Sequence, residues 1–253
     1  MAWWAAHRHG AGRYAWRGSA GAGVRGGVGG RVHCRAVCSG GVVSAGASAG
    51  QKAAALRAQA VPRGLKRRFL ALLGMDRQGA RLAAEARCWE AGVVGEQWTT
   101  AMLAPLRAEG WVCFDDRRIP GLGRANADHV VVAPSGRVFL VDSKMWNARG
   151  RARGLVRVVR GRLVHGDVDK DRQIKTVLAE AECVGRALGA AVTPLIVVHT
   201  APVDGGGFVL RGVPVVPAGR LVELLRGNTG RPDPAAARRM ALRANVKLPR
   251  YVE

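Results

Sequence analysis

The stretch Asn126-Ala127-Asp128-His129-Val130-Val131-Val132-Ala133-Pro134-Ser135-Gly136-Arg137-Val138-Phe139-Leu140-Val141-Asp142-Ser143-Lys144 decides how this chain folds. Two apolar runs, Ala127–Ala133 and Arg137–Val141, are split by Pro134-Ser135-Gly136, which is turn chemistry. They predict a β-hairpin. With a three-residue loop Ala133 pairs with Arg137, and Asp128 directly faces Asp142. Opposed residues of an antiparallel pair share a face, with Cβ atoms roughly 5 Å apart. A two-residue loop moves the register by one, so that Asp128 opposes Ser143 and stays next to Asp142 and Lys144. Lys144 shares the face of Asp142 because side chains alternate along a strand.

Outward from the hairpin, Arg77–Trp89 and Glu96–Arg107 read as helices, the second with Trp98, Met102 and Leu106 as its buried stripe. Gly110–Phe114 reads as a strand, and Gly154–Val159 with Arg162–His165 as a second hairpin. Asp169–Leu188 is a helix with Ile174, Val177, Leu178, Ala181 and Leu188 on one face. The uninterrupted run Leu195–Val198 suits a sheet centre covered on both sides. Phe208–Leu210 and Val213–Val216 would add edge strands, Leu221–Leu225 a short helix and Pro234–Ala244 a helical tail. This order predicts an α/β fold, a mixed central β-sheet flanked by helices.

Charge divides the chain in two. Residues 1–68 hold 12 Lys and Arg and no acid, and the first acid of the whole chain is Asp76. The 253 residues carry 40 Lys and Arg against 18 Asp and Glu, a formal net charge of +22. Residues 1–74 therefore form a low-complexity Gly/Ala/Arg-rich basic extension, expected to be disordered because it lacks large apolar residues to offset its ordering entropy. Trp3, Trp4, Tyr14 and Trp16 interleave there with basic residues, a pattern that can stack bases. A solvated tail, an Arg-rich transit peptide and translation from a start placed too far upstream are competing readings, the last because Met75 immediately precedes the first acid. Residues 75–230 form the body, and residues 231–253 a basic helical tail.

The cation excess points to a polyanion, nucleic acid ahead of a membrane surface. No apolar window is long enough to span a bilayer, so no membrane partner is expected. Cys34, Cys38, Cys88, Cys113 and Cys183 are odd in number and scattered, which fits free thiols and a cytoplasmic setting. His33-Cys34 with Cys38 is half a zinc pattern, and no second half follows.

Two opposed carboxylates repel, and a divalent cation removes that penalty. Hard oxygen donors suit Mg²⁺ or Mn²⁺. A neighbouring lysine can then orient a water and offset charge developing on a phosphate. The bland alternative is an edge-strand acid beside a surface ion pair.

The ordered set Gly95-Glu96, then Asn126-Ala127-Asp128-His129, then Val141-Asp142-Ser143-Lys144-Met145-Trp146 resembles the nuclease-related domain, NERD, of the PD-(D/E)xK nuclease superfamily. The resemblance covers roughly residues 91–226. It implies a restriction-endonuclease-like core, with Asp128 and Asp142 as metal-binding acids and Ser143 contributing its backbone carbonyl. Lys144 is implied to activate or orient the attacking water, and Glu96 to complete or buttress the metal site. Gln173 resembles a glutamine of the later helix, although the tyrosine some relatives carry four residues on is Val177 here. His129 alternates to the opposite face and reads as structural. Arg149, Arg151, Arg153, Arg157, Arg160 and Arg162 are solvated decoration or phosphate contacts.

The expected function is a metal-dependent nuclease, a hydrolase of DNA phosphodiester bonds that uses Mg²⁺ or Mn²⁺. The alternative is a non-catalytic DNA-binding or nucleoid-associated protein with the same fold.

Overall fold

The hairpin forms with the three-residue loop. In the computed structural model, which describes residues 45–123, 125–146 and 154–251, β2 (Asn126–Val132) and β3 (Val138–Met145) are antiparallel. The ladder runs from Val132↔Val138 to His129↔Val141. Ala133 N–H donates to Arg137 O at 2.8 Å, and Gly136 N–H to Ala133 O at 2.8 Å. Gly136 takes φ +82, and a Cβ there would lie 3.2 Å from the backbone carbon of Ala236. A left-handed φ costs an L-residue about 1–2 kcal/mol. Gly136→Ala is expected to lower stability by about that much, read as a lower urea midpoint at unchanged m-value.

The hairpin seeds a six-stranded mixed sheet in the order β1-β2-β3-β7-β9-β8. Its members besides β2 and β3 are β1 (Val112–Arg118), β7 (Val192–His199), β8 (Phe208–Leu210) and β9 (Val213–Pro217). β3 and β7 are parallel, as are β7 and β9, and the other contacts are antiparallel. The apolar run of β7 occupies the sheet centre, with Leu195 to His199 all buried. A separate small sheet holds β4 (Val156–Val159), β5 (Arg162–His165) and β6 (Val168–Asp169).

Alternation divides the core. Val130, Val132, Leu140, Ile196 and Val198 pack on one face, against Ile174, Val177, Val184 and Leu188 of α4 (Asp171–Leu188) and Ala244 of α6 (Pro234–Lys247). Val131, Phe139, Val141, Leu195 and Val197 pack on the other. Their partners there are Leu103 of α3 (Arg77–Leu103) and Leu221 and Leu225 of α5 (Leu221–Gly227). The fold is α/β with a mixed sheet flanked by helices, as the pattern predicted.

Two expectations need correction. Arg77–Trp89 and Glu96–Arg107 are not separate helices: α3 runs unbroken through 27 residues and passes into a 3₁₀ turn at Ala104–Glu109. Its buried side is Gly95, Glu96, Thr99 and Leu103, while Trp98 is 49% exposed. Thr99 turns inward to bond Ser143 and His199, and Glu96 one turn before it is buried as well, which a purely apolar stripe does not anticipate.

The second concerns the extension. Within 1–74, residues 47–60 form α1 (Ala47–Ala60) and residues 65–72 form α2 (Leu65–Leu72). Ala is the best helix former, and Ala49 and Ala53 are buried against α3. A Cβ on Gly46 would come within 2.9 Å of Val93, so the small residues allow close approach. Arg57 donates to both carboxylate oxygens of Glu90, each at 2.8 Å, and Lys52 Nζ lies 4.0 Å from the Trp89 ring centroid. The Trp3–Arg17 segment, Cys34, Cys38, Arg149, Arg151 and Arg153 lie outside the described residues.

Candidate active site

The ladder between β2 and β3 stops one residue short of Asp128. Continued hydrogen-bond alternation would give Ser143 N–H to the carbonyl of Ala127. It goes instead to Asp128 Oδ2 at 2.9 Å. Lys144 Nζ donates to Asp142 Oδ1 at 2.5 Å. Asp128, Asp142 and Lys144 therefore sit together where the hairpin opens, on the α4 side of the sheet.

The opposite face of the same strands carries a buried polar chain. His129 Nδ1 is 2.8 Å from Asp115 Oδ1, and His129 Nε2 is 3.2 Å from Ser143 Oγ. Ser143 Oγ is 2.8 Å from Thr99 Oγ1, which is 2.8 Å from His199 Nε2. His129 and Thr99 are fully buried. Burial and the neighbouring His129 hold His199 below its ordinary pKa. Burial works against the charge of Asp115, but the hydrogen bond and charge of His129 keep its carboxyl below the usual range. His129 is thus structural, as its place in the alternation predicted. The chain fixes Ser143 from below while its neighbours face the site.

Glu96 reaches the same neighbourhood from α3. A Cβ on Gly95 would lie 3.4 Å from Met145 Cβ and 3.8 Å from His199 Cδ2, so α3 crosses the C-terminal ends of β3 and β7. Glu96 is 6% exposed, and its Oε2 has no hydrogen-bond partner. Burial first, then the charges of Asp128 and Asp116, push its carboxyl up to about 9, against a backbone hydrogen bond from Gly46 and the field of Lys144. Gln173 lies in the first turn of α4, with its N–H on Lys170 O at 2.9 Å. Among the described residues no hydrogen bond joins it to Asp128, Asp142 or Lys144.

Two acids near the site escaped the sequence reading. Burial, then Asp142 and Asp128, push Glu180 of α4 up to about 8. Gln173 and Glu180 are seven residues apart, two helical turns, at one margin of the apolar stripe, and that spacing was the available signal. Asp116 of β1 lies near Glu96. The β1–β2 register would place it opposite Asp128, as the hairpin places Asp142 on the other side. It takes φ +48, is 2% exposed, and accepts from Ser48 N–H at 2.9 Å and Asn126 Nδ2 at 2.8 Å. The first turn of α1 thereby meets both Asp116 and Glu96, where its N–H groups and dipole suit negative charge. Ending the predicted strand at Phe114 hid Asp116.

Electrostatics bear on whether a metal fits. Burial raises Asp142 to about 6 even though Lys144 opposes the shift. Burial pulls the Lys144 ammonium down, but Asp142 and Asp128 outweigh it and hold the lysine well above its ordinary value. Among the described residues no group of three His, Cys, Asp or Glu stands ready-made around one point. The donors are nonetheless hard oxygens, Glu96 Oε2 is buried without a partner, and a single lysine offsets several carboxylates. That chemistry fits a Mg²⁺- or Mn²⁺-class ion better than a thiol- or imidazole-loving one.

Around the site, Trp146 stacks on His165 with centroids 5.6 Å apart, packing the end of β3. Arg162 pairs with Asp169, and Arg160 is exposed at the β4–β5 turn.

Comparison with curated proteins gave no match, and comparison with solved structures gave none. A family model does match: the nuclease-related domain, over residues 91–199. The matched stretch begins in α3 ahead of Glu96 and closes at His199, so it spans Asp128, Asp142, Lys144, Glu180 and the buried chain beneath them. Over residues 91–199 the chain is thus similar to the nuclease-related domain.

Proposed function

We propose that this domain hydrolyses DNA phosphodiester bonds in a Mg²⁺- or Mn²⁺-dependent reaction. The observation that carries the reading is the pair Asp128 and Asp142 on adjacent strands, the first accepting from Ser143 N–H and the second from Lys144 Nζ. A module that only binds a polyanion gains nothing from carboxylates aimed at it. Asp128, Asp142 and Glu96 would hold the cation, with Ser143 offering its carbonyl. When bound, the cation polarises the scissile phosphate and offsets charge at phosphorus.

Lys144 is favoured in its protonated form by the charges of Asp142 and Asp128, against the cost of burial. Its role is to orient the attacking water and stabilise charge on the phosphoryl oxygens, as a fixed donor does in a water-poor site. As water adds to phosphorus it gives up a proton to the surrounding water, the P–O bond to the leaving oxygen breaks, and that oxygen takes up a proton from the surrounding water. The basic body supplies phosphate contacts that position the strand without reading sequence.

Supercoiled plasmid incubated with the protein is expected to be nicked or degraded with Mg²⁺ or Mn²⁺, and left intact with EDTA. Retention of DNA without cleavage under both conditions would instead establish the binding module, whose affinity falls steeply with salt.

A further inference from the structure

α2 presents its apolar face outward. Leu65 is 87% exposed, Phe69 64%, Leu72 87% and Leu73 54%, and Val61 and Met75 on its flanks are exposed as well. At 100° per residue Leu65, Phe69, Leu72 and Leu73 fall within one stripe about 100° wide. Lys66 and Arg68 border that stripe and are exposed, with Arg63 just ahead of it.

This orientation is held from the inner side. Arg67 lies roughly opposite the stripe and donates to Asp76 Oδ2 at 2.9 Å and to Ala60 O at 3.4 Å. Leu70 and Ala71 are half-buried on the same inner side. The helix is therefore pinned by its polar face with its apolar face free. A soluble surface helix normally does the reverse.

From this arrangement we infer that α2 and its flanks form an interfacial anchor for an anionic phospholipid bilayer. Large apolar side chains, including an aromatic ring, rimmed by cations are what a helix lying in the headgroup plane requires. Charge complementarity selects the lipid. No Asp or Glu occurs from Met1 to Met75, so nothing there repels an anionic surface. DNA would match the cations, but it would leave Leu65, Phe69, Leu72 and Leu73 in water. The expectation of no membrane partner rested on the lack of a spanning segment. Among the described residues no helix is long and apolar enough to cross a membrane, and an interfacial helix needs no such length. The inference is independent of the nuclease reading.

The test is vesicle flotation with the full chain, comparing phosphatidylcholine vesicles containing phosphatidylglycerol with phosphatidylcholine alone. Wild type is expected to float with the anionic vesicles and to stay behind with the neutral ones. Phe69→Glu combined with Leu72→Glu should reduce the bound fraction roughly tenfold. Both residues are exposed, so the fold is not at stake, and plasmid retention serves as the control. Lys66→Glu with Arg68→Glu should also weaken flotation and remove its salt dependence. Wild type that fails to float, or a Phe69→Glu/Leu72→Glu variant that floats equally well, overturns the inference. So does concentration-dependent dimerisation that the same double variant abolishes without any vesicle binding, because the face would then be covered by a second copy.

Discussion

Asp142→Asn is expected to lower Mg²⁺-dependent plasmid cleavage on the order of 10³-fold, the scale on which a fixed electrostatic contact to a transition state acts. Asn keeps the shape and one oxygen but removes the charge that pairs with Lys144 at 2.5 Å. It is preferable to Ala, which leaves a half-buried ammonium without its partner. Lys144→Ala is expected to cost roughly 10²–10³-fold. A Lys144→Arg change does not restore the rate, because a planar guanidinium cannot occupy the ammonium's place beside Asp142. The measurement is single-turnover nicking at saturating protein, with circular dichroism to show that the variants are folded. Asp142→Asn that cuts at the wild-type rate removes the hairpin from the mechanism.

The second large effect is on stability. Glu96 and Glu180 have ordinary carboxyl values of 4.5 but are pushed up to about 9 and about 8 in the folded protein. Between those limits the native state keeps protons that the unfolded chain has lost, so stability falls as pH rises, by about 1.4 kcal/mol per unit for each such group. In EDTA the melting temperature is expected to drop from pH 5 through pH 8 and to level off above about 9. Carboxylates held low by arginine, such as Asp76 beside Arg67 and Glu90 beside Arg57, contribute stability that is lost only at acid pH, below this window. Glu96→Gln mimics the protonated carboxyl, so it should flatten the profile and raise the melting temperature at pH 8. Mg²⁺ should restore wild-type stability most at high pH, with proton release visible as a buffer-dependent binding heat. A flat melting profile in EDTA from pH 5 to 9 would show that the acids are not buried together.

Both predictions trace to residues whose placement was unequally legible. The hairpin was readable because a period-two pattern and a turn tripeptide act within nineteen residues, and both open loop lengths keep Asp128 beside Asp142 and Lys144. Asp128, Asp142 and Lys144 follow from that alone. The position of Glu96 in the motif was readable, but its burial was not. The apolar stripe of α3 was misassigned because Thr99 turns inward to meet His199 and Ser143, and Glu96 is buried on the same side. Those partners lie up to a hundred residues away. α1 was missed for a related reason: an Ala/Gly-rich helix has no large apolar side chains, and it is stabilised by close packing on α3 rather than by an apolar face of its own.

By itself the sequence determined the fold class, the hairpin and the acid–acid–lysine set, because local alternation and turn chemistry specify them. Only the tertiary structure decided which hairpin register forms, that Glu180 lies near the pair and Asp116 near Glu96, that Glu96 is buried with an unpartnered oxygen, and that a chain from Asp115 to His199 supports Ser143. It also decided that α2 turns its apolar face to solvent. Each of these depends on which helix face meets which strand, and that is set by burial and charge between segments far apart in the chain.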